Sequence, residues 1–240
     1  MLTIDRLSFS YGTKQVLDDL SLKIEEGEIV TIVGKSGAGK TTLFRLIVGL
    51  LEPQQGKILI RNNLTNQHSR FISYMMQEDL LLPWRTVLRN VELAVELSQP
   101  KKQKGRIRSS AIALLEQMDL HNCISMIPCE LSEGMRQRVA LARSLLQNRP
   151  ILLFDEPFGA LDTSLREKMY SLLLCIRRTY NKTMLLITHD FRDALVLSDT
   201  IYLLAKGRLI ERWSIGSDIK DDPRLLYHTQ EQLKQALMKY

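Results

Sequence analysis

The stretch "IVTIVGKSGAGKTTLFRLIVGL", Ile29–Leu50, constrains this chain more than any other. A mainly apolar run, Ile29–Val33, interrupted only by Thr31, gives way to a glycine-rich loop and then to Leu43, Leu46, Ile47 and Leu50 at helical spacing. The run reads as an apolar strand leading into an amphipathic helix. Gly34, four residues, then Gly39-Lys40-Thr41 fit the spacing of a phosphate-binding loop between strand and helix. The glycines let successive N–H groups turn inward on anionic oxygens, and the helix start adds its positive dipole end. The candidate phosphate ligands are Gly34, Lys35, Ser36, Gly37, Ala38, Gly39, Lys40, Thr41 and Thr42. Lys40 is expected to reach the β- and γ-phosphates of a nucleotide, and the Thr41 hydroxyl to coordinate Mg²⁺.

A matching acid lies in "ILLFDEP", where Asp155 closes a second buried strand and Glu156 follows directly. Asp155 is expected to hold Mg²⁺ through its water shell. Glu156 has the chemistry to polarise an attacking water.

Around these motifs the chain alternates as strands do over its first thirty residues, with turn material at Tyr11-Gly12 and Glu25–Gly27. "GKILI" and "FISYMMQ" read as further strands, and a helical region runs from about Val87 to Gln147. There Val87, Val91, Leu93, Ala94 and Leu97 are expected along one face, and Ile112, Leu115 and Met118 along another. Then "ILLFD", "MLLITHD" and "IYLLAKG" read as parallel strands, with a helix between the first two, a strand at "RLIERW" and a terminal helix. The expected fold is α/β: a P-loop NTPase core of mostly parallel sheet flanked by helices, with an N-terminal antiparallel β subdomain and a helical insertion. One domain spans 1–240, divided into a β-rich lobe 1–77, a helical part 78–149 and the rest of the core, 150–240.

Composition narrows the setting. No apolar run approaches the roughly 18 residues a membrane helix needs. Asp5 and Arg6 fall where a signal peptide would have its apolar centre. A cytoplasmic protein, peripheral on the inner face of the plasma membrane, is expected. The 3 cysteines are too few and scattered for a disulfide framework or a zinc site. Net charge is +6, but there is no run of five basic residues, and "QPKKQKGRIR" reads as a solvated loop between helices. No nucleic-acid partner is expected.

The remaining motifs, in their order, resemble the ATP-binding-cassette (ABC) ATPases: Tyr11 in "FSYG", Gln77 in "SYMMQEDLLLPW", "LSEGMRQRVALARSL" from Leu131, "FGALD" with Asp162, and "LLITHD" with His189. The resemblance implies that Tyr11 stacks on adenine, Gln77 senses Mg²⁺ and the attacking water, and His189 contacts the γ-phosphate. It further implies a head-to-tail dimer with ATP sandwiched between subunits, in which Ser132 and Gly134 bind the other subunit's nucleotide and Asp162 orders the junction. "LLPWRTVLRNV" and "MRQRVALARSL" are similar to the ATPase subunits of nitrate, sulfonate and taurine importers. Permease subunits docking near Leu80–Trp84 and an extracytoplasmic substrate-binding protein are the implied partners. An exporter subunit, or a non-transport ABC ATPase acting on nucleic acid or ribosomes, is the alternative. A degenerate cassette would lack Lys40, Asp155, Glu156 or His189, and all are present.

Glu133 departs from the family, which usually has glycine there. Its side chain either turns outward, favoured at a helix start by about 0.3–1 kcal/mol, or faces a phosphate. At about 7 Å that repulsion costs roughly 1–2 kcal/mol per charge at an effective dielectric near 20–40, and Arg136, three residues on, would offset part of it. In the second case Glu133→Gly raises the basal ATPase rate roughly two- to tenfold, measured by phosphate release. An unchanged rate marks the outward side chain.

Overall fold

A computed structural model describes residues 1–64, 70–98 and 104–240. Strands β1 (Leu2–Tyr11), β2 (Lys14–Ile24), β4 (Gln55–Ile60) and β5 (Asn63–Leu64) form an antiparallel sheet in the order β2-β1-β4-β5. A second sheet contains β3 (Ile29–Val33), β6 (Ile72–Met75), β7 (Ile151–Asp155), β8 (Thr183–Ile187), β9 (Thr200–Ala205) and β10 (Arg208–Ser214). Its order is β10-β9-β3-β8-β7-β6, with every pair parallel except β9–β10.

The continuous apolar runs have their physical reason here. Every residue of β3, β7 and β8 is buried, because the sheet is covered on both faces. Successive side chains serve opposite cores, as strand alternation demands. Leu153, Leu185 and Ile187 pack towards the antiparallel sheet and α1 (Lys40–Ile47). Leu152, Phe154, Met184 and Leu186 pack towards α2 (Val87–Ser98), α3 (Lys104–Gln117), α4 (Glu133–Leu146) and α5 (Thr163–Tyr180). A smaller core joins Val33, Ile201 and Leu203 to α6 (Phe191–Leu197) and the terminal helix α8 (Pro223–Lys239), which follows the short α7 (Ser217–Asp221).

Some details differ from the sequence reading. The buried stripe of α2 is Val87, Leu88, Val91 and Val95, whereas Leu97 is 81% exposed. Tyr11 ends β1 rather than opening a turn. The basic patch is not a single loop: its first half, 99–103, lies outside the described residues, and Lys104–Arg108 begin α3. Among the described residues no helix is long and apolar enough to cross a membrane.

Candidate active site

The parallel register brings the C-terminal ends of β3, β8, β7 and β6 to one edge of the sheet, where open α/β sheets bind ligands. Each strand ends in a polar segment, because beyond that edge the covering layers stop. A cavity of about 450 Å³ opens there, lined by the loop after β3, Gln77 after β6, Asp155 and Glu156 at the end of β7, and His189 after β8. Tyr11 forms part of its rim with Lys14 and Val16 from β2, and stands edge-on to Phe9 at a ring separation of 5.0 Å.

Of the candidate phosphate ligands, Gly34, Ser36, Gly37, Gly39, Lys40, Thr41 and Thr42 face this cavity. Lys35 and Ala38 line a smaller one behind the loop, against Leu237 and Tyr240. Gly37 and Gly39 have φ of 80° and 104°, conformations in which a side chain is strained. Gly39 is the N-cap of α1 and offers no side-chain acceptor, so the first-turn N–H groups remain available to an anion. Lys40 curls over the loop, its Nζ donating to the carbonyls of Gly34 at 2.7 Å and Lys35 at 3.0 Å. Burial lowers the pKa of its ammonium, while the carboxylates of Glu156 and Asp155 act the other way.

Asp155 is buried, and its Oδ2 accepts from Thr41 Oγ1 at 3.2 Å and Tyr74 Oη at 3.4 Å. Burial raises its pKa; those hydroxyls and Lys40 oppose the shift, and the neighbouring Glu156 adds to it. A hydroxyl and a carboxylate are hard oxygen donors that fit Mg²⁺. No cluster of three or more His, Cys, Asp or Glu among the described residues would hold a metal alone. The remaining ligands would therefore be water and nucleotide oxygens, the usual arrangement for this cation.

Glu156 has φ of 51°, outside the regions favoured by residues with a side chain. Its Oε2 lies 2.9 Å from His189 Nδ1 and 3.4 Å from the His189 backbone nitrogen. The segments bearing these two residues are tied from behind. Arg166 on α5 donates to the Phe158 carbonyl at 3.2 Å and pairs with Asp190, next to His189. Thr188 donates to the buried Asp193 at 2.8 Å, and Tyr170 bonds the same carboxylate.

Ser132, Gly134 and Asp162 do not line this cavity. Ser132 caps α4, accepting from the Met135 N–H at 3.3 Å, and Asp162 caps α5, accepting from the Leu165 N–H at 3.0 Å. The Glu133 side chain is exposed and makes no hydrogen bond or ion pair among the described residues. Arg136 does not offset its charge: the guanidinium is held by Asp79 at 2.9 Å and by the Leu131 carbonyl at 2.9 Å. The sequence reading passed over Lys14, Val16 and Tyr74, whose places depend on strands that meet only after folding. It also passed over Gln137, although that residue stands inside a quoted motif.

A glycine cradle with a lysine, on a parallel sheet ending in an Asp-Glu pair, defines a P-loop nucleoside triphosphatase. Residues 17–159 match the sequence profile described as ABC transporter. The taurine import ATP-binding protein TauB of Yersinia pestis bv. Antiqua (strain Antiqua) is 40% identical over 218 residues, 90% of this chain and 85% of that one. The formylaminopyrimidine import ATP-binding protein ThiZ of Halalkalibacterium halodurans is 40% identical over 211 residues, 87% of this chain and 81% of that one. The dimeric structure of MJ0796, a bacterial ABC transporter cassette, superposes with a TM-score of 0.84 at 31% identity, covering 90% of this chain and 100% of that one. The chain therefore belongs to the ABC transporter family, as one of its nucleotide-binding, ATP-hydrolysing cassettes.

The buried charge at Asp155 has a measurable consequence. A raised folded-state pKa means that the unfolded chain ionises first, so native stability falls as pH rises through the carboxylate range. Asp155→Asn keeps an acceptor for Thr41 and Tyr74 without the charge. The ligand-free variant is expected to melt above wild type at about pH 8, with the difference shrinking towards about pH 4. Calorimetric melting temperatures that differ equally at both pH values would show that the charge is not the cause.

Proposed function

We propose that this chain energises a bacterial importer of a small solute, binding and hydrolysing Mg·ATP at the cavity beside β3. The observation that carries the chemistry is the Glu156–His189 contact of 2.9 Å at the mouth of a cavity walled by the phosphate loop. The loop N–H groups bind the phosphate oxygens, and Lys40 exchanges its two carbonyl partners for β- and γ-phosphate oxygens. Tyr11 offers a ring face to the adenine. Thr41 and Asp155 would hold Mg²⁺, with Gln77 lining the same cavity, and the ion would neutralise the phosphate charge. Glu156 takes a proton from the attacking water as its oxygen bonds to the γ-phosphorus and the bond to the β-phosphate oxygen breaks. His189 fixes the Glu156 carboxylate and contacts the γ-phosphate. Ser132, Gly134 and Asp162, remote from the chain's own cavity, serve the nucleotide of a second cassette, and a homodimer closed on ATP is the working state.

The loop after Gln77 supports permease docking. Its core side is anchored: Leu81 is buried, and the fully buried Asn90 accepts from the Leu82 N–H at 2.7 Å and donates to the Leu82 and Arg85 carbonyls at 3.1 and 3.0 Å. Its outer side presents Leu80 and Trp84, the latter 75% exposed. An exposed tryptophan on a loop anchored by hydrogen bonds is a surface suited to burial by a partner. We place the working complex on the cytoplasmic face of the membrane, with an extracytoplasmic binding protein delivering the solute. The similarity to taurine, sulfonate and formylaminopyrimidine import proteins supports import of a small polar organic solute.

Glu156→Gln is expected to bind ATP with unchanged affinity and to lose turnover by about 10²–10⁴-fold, the range for a general base. Single-turnover phosphate release together with equilibrium ATP binding measures both, and wild-type turnover would remove Glu156 as the base. Trp84→Ala is expected to weaken permease association by about 30-fold, the loss of roughly 2 kcal/mol typical of a buried aromatic anchor. The ATPase rate of the isolated chain should stay within about twofold. Loss of both would assign Trp84 a packing role.

A further inference from the structure

We propose that Gln137 is a positioning residue for Glu156, holding the catalytic carboxylate's backbone from helix α4; this rests on the reading of Glu156 as the base. Glu156 occupies the left-handed region with φ of 51°, a conformation that persists only where its surroundings fix it. Two backbone contacts do so. The Glu156 N–H donates to the Ile187 carbonyl at 2.9 Å, and the Glu156 carbonyl accepts from Gln137 Nε2 at 2.8 Å. The other end of the same carboxamide, Oε1, accepts the Ala160 N–H at 3.0 Å. One side chain therefore spans the Glu156–Ala160 segment, and among the described residues no backbone group serves either atom in its place.

The reach of Gln137 is set one turn earlier. A Cβ on Gly134 would lie 2.7 Å from the Ala160 carbonyl oxygen, so only glycine lets α4 rest this closely on the segment. Neighbours on α4 face the docking loop instead: Arg136 pairs with Asp79, and Arg143 donates to the Asp79 and Leu80 carbonyls. A single helix thus carries the exposed loop on one side and the backbone of the base on the other. Glu156 is aimed at His189 by its backbone conformation, so loss of the Gln137 clamp acts on the chemical step rather than on nucleotide binding.

The test uses the full chain with Gln137→Glu and Gln137→Met. As a carboxylate, the Glu side chain still accepts from Ala160 but cannot donate to the Glu156 carbonyl. Met fills the space with neither bond. Both variants are expected to lose kcat by about 10–100-fold, as small misplacements of a reacting group do. Their Kd for Mg·ATP, from equilibrium dialysis, should stay within about twofold of wild type. Full kcat in both variants, or a Kd that weakens in step with kcat, overturns the proposal. Full turnover in Glu156→Gln would instead overturn the assignment of the base, and the role of Gln137 with it. Lost turnover in Glu156→Gln with full turnover in both Gln137 variants would overturn the role of Gln137 alone.

Discussion

Burial of β3, β7 and β8 on both faces is the constraint from which the site follows. Strands with no solvent face must lie side by side in the middle of the sheet, and parallel pairing then stacks their C-terminal ends along one edge. Chemistry can appear only where the covering layers stop. The first residues beyond the apolar runs are Gly34, Asp155 followed by Glu156, and Thr188 followed by His189. The cavity geometry is in this sense the boundary of the hydrophobic core.

That boundary also sets the electrostatics. Asp155 is the last residue of its strand and remains buried, so its charge depends on the hydroxyls of Thr41 and Tyr74 and on nearby Lys40. Glu156, one residue further, escapes the strand only by a left-handed turn, which carries its carboxylate to His189. Adjacent acids thus occupy different environments: one is a buried oxygen donor beside the phosphate loop, the other a hydrogen-bonded carboxylate at the cavity mouth.

Helix α4 relates this edge to the outer surface. Its arginines at 136 and 143 hold the loop bearing Leu80 and Trp84, and its N-terminal turns press on the segment after Glu156. Arg166 on α5 makes a second tie, joining the Phe158 carbonyl to Asp190 beside His189. The two segments bearing Glu156 and His189 are therefore fixed from behind by charged and amide groups, in a region where an unpaired polar group would be costly.

Much of this was legible in the chain. The glycine spacing at 34–39 and the mainly apolar stretches at 29–33, 151–154 and 184–187 encode the strand–loop–helix and the parallel sheet, because both signals are local. The order of motifs from Tyr11 to His189 was enough to identify the family. Folding decided what depends on contacts between distant segments. Leu97 lies at a plausible helical position yet is exposed, since only the packing partners define which stripe of α2 is buried. Arg136 has the right spacing to reach Glu133, but Asp79, 57 residues away in sequence, claims it. Gln137 is an ordinary helix residue until α4 is laid against the segment after β7, where its amide meets the carbonyl of Glu156 and the N–H of Ala160. Periodicity and loop chemistry are written residue by residue, so the sequence determined the elements and the polar residues that close them. Which side chain a given polar group meets is settled only when elements pack, and that choice belonged to the tertiary structure.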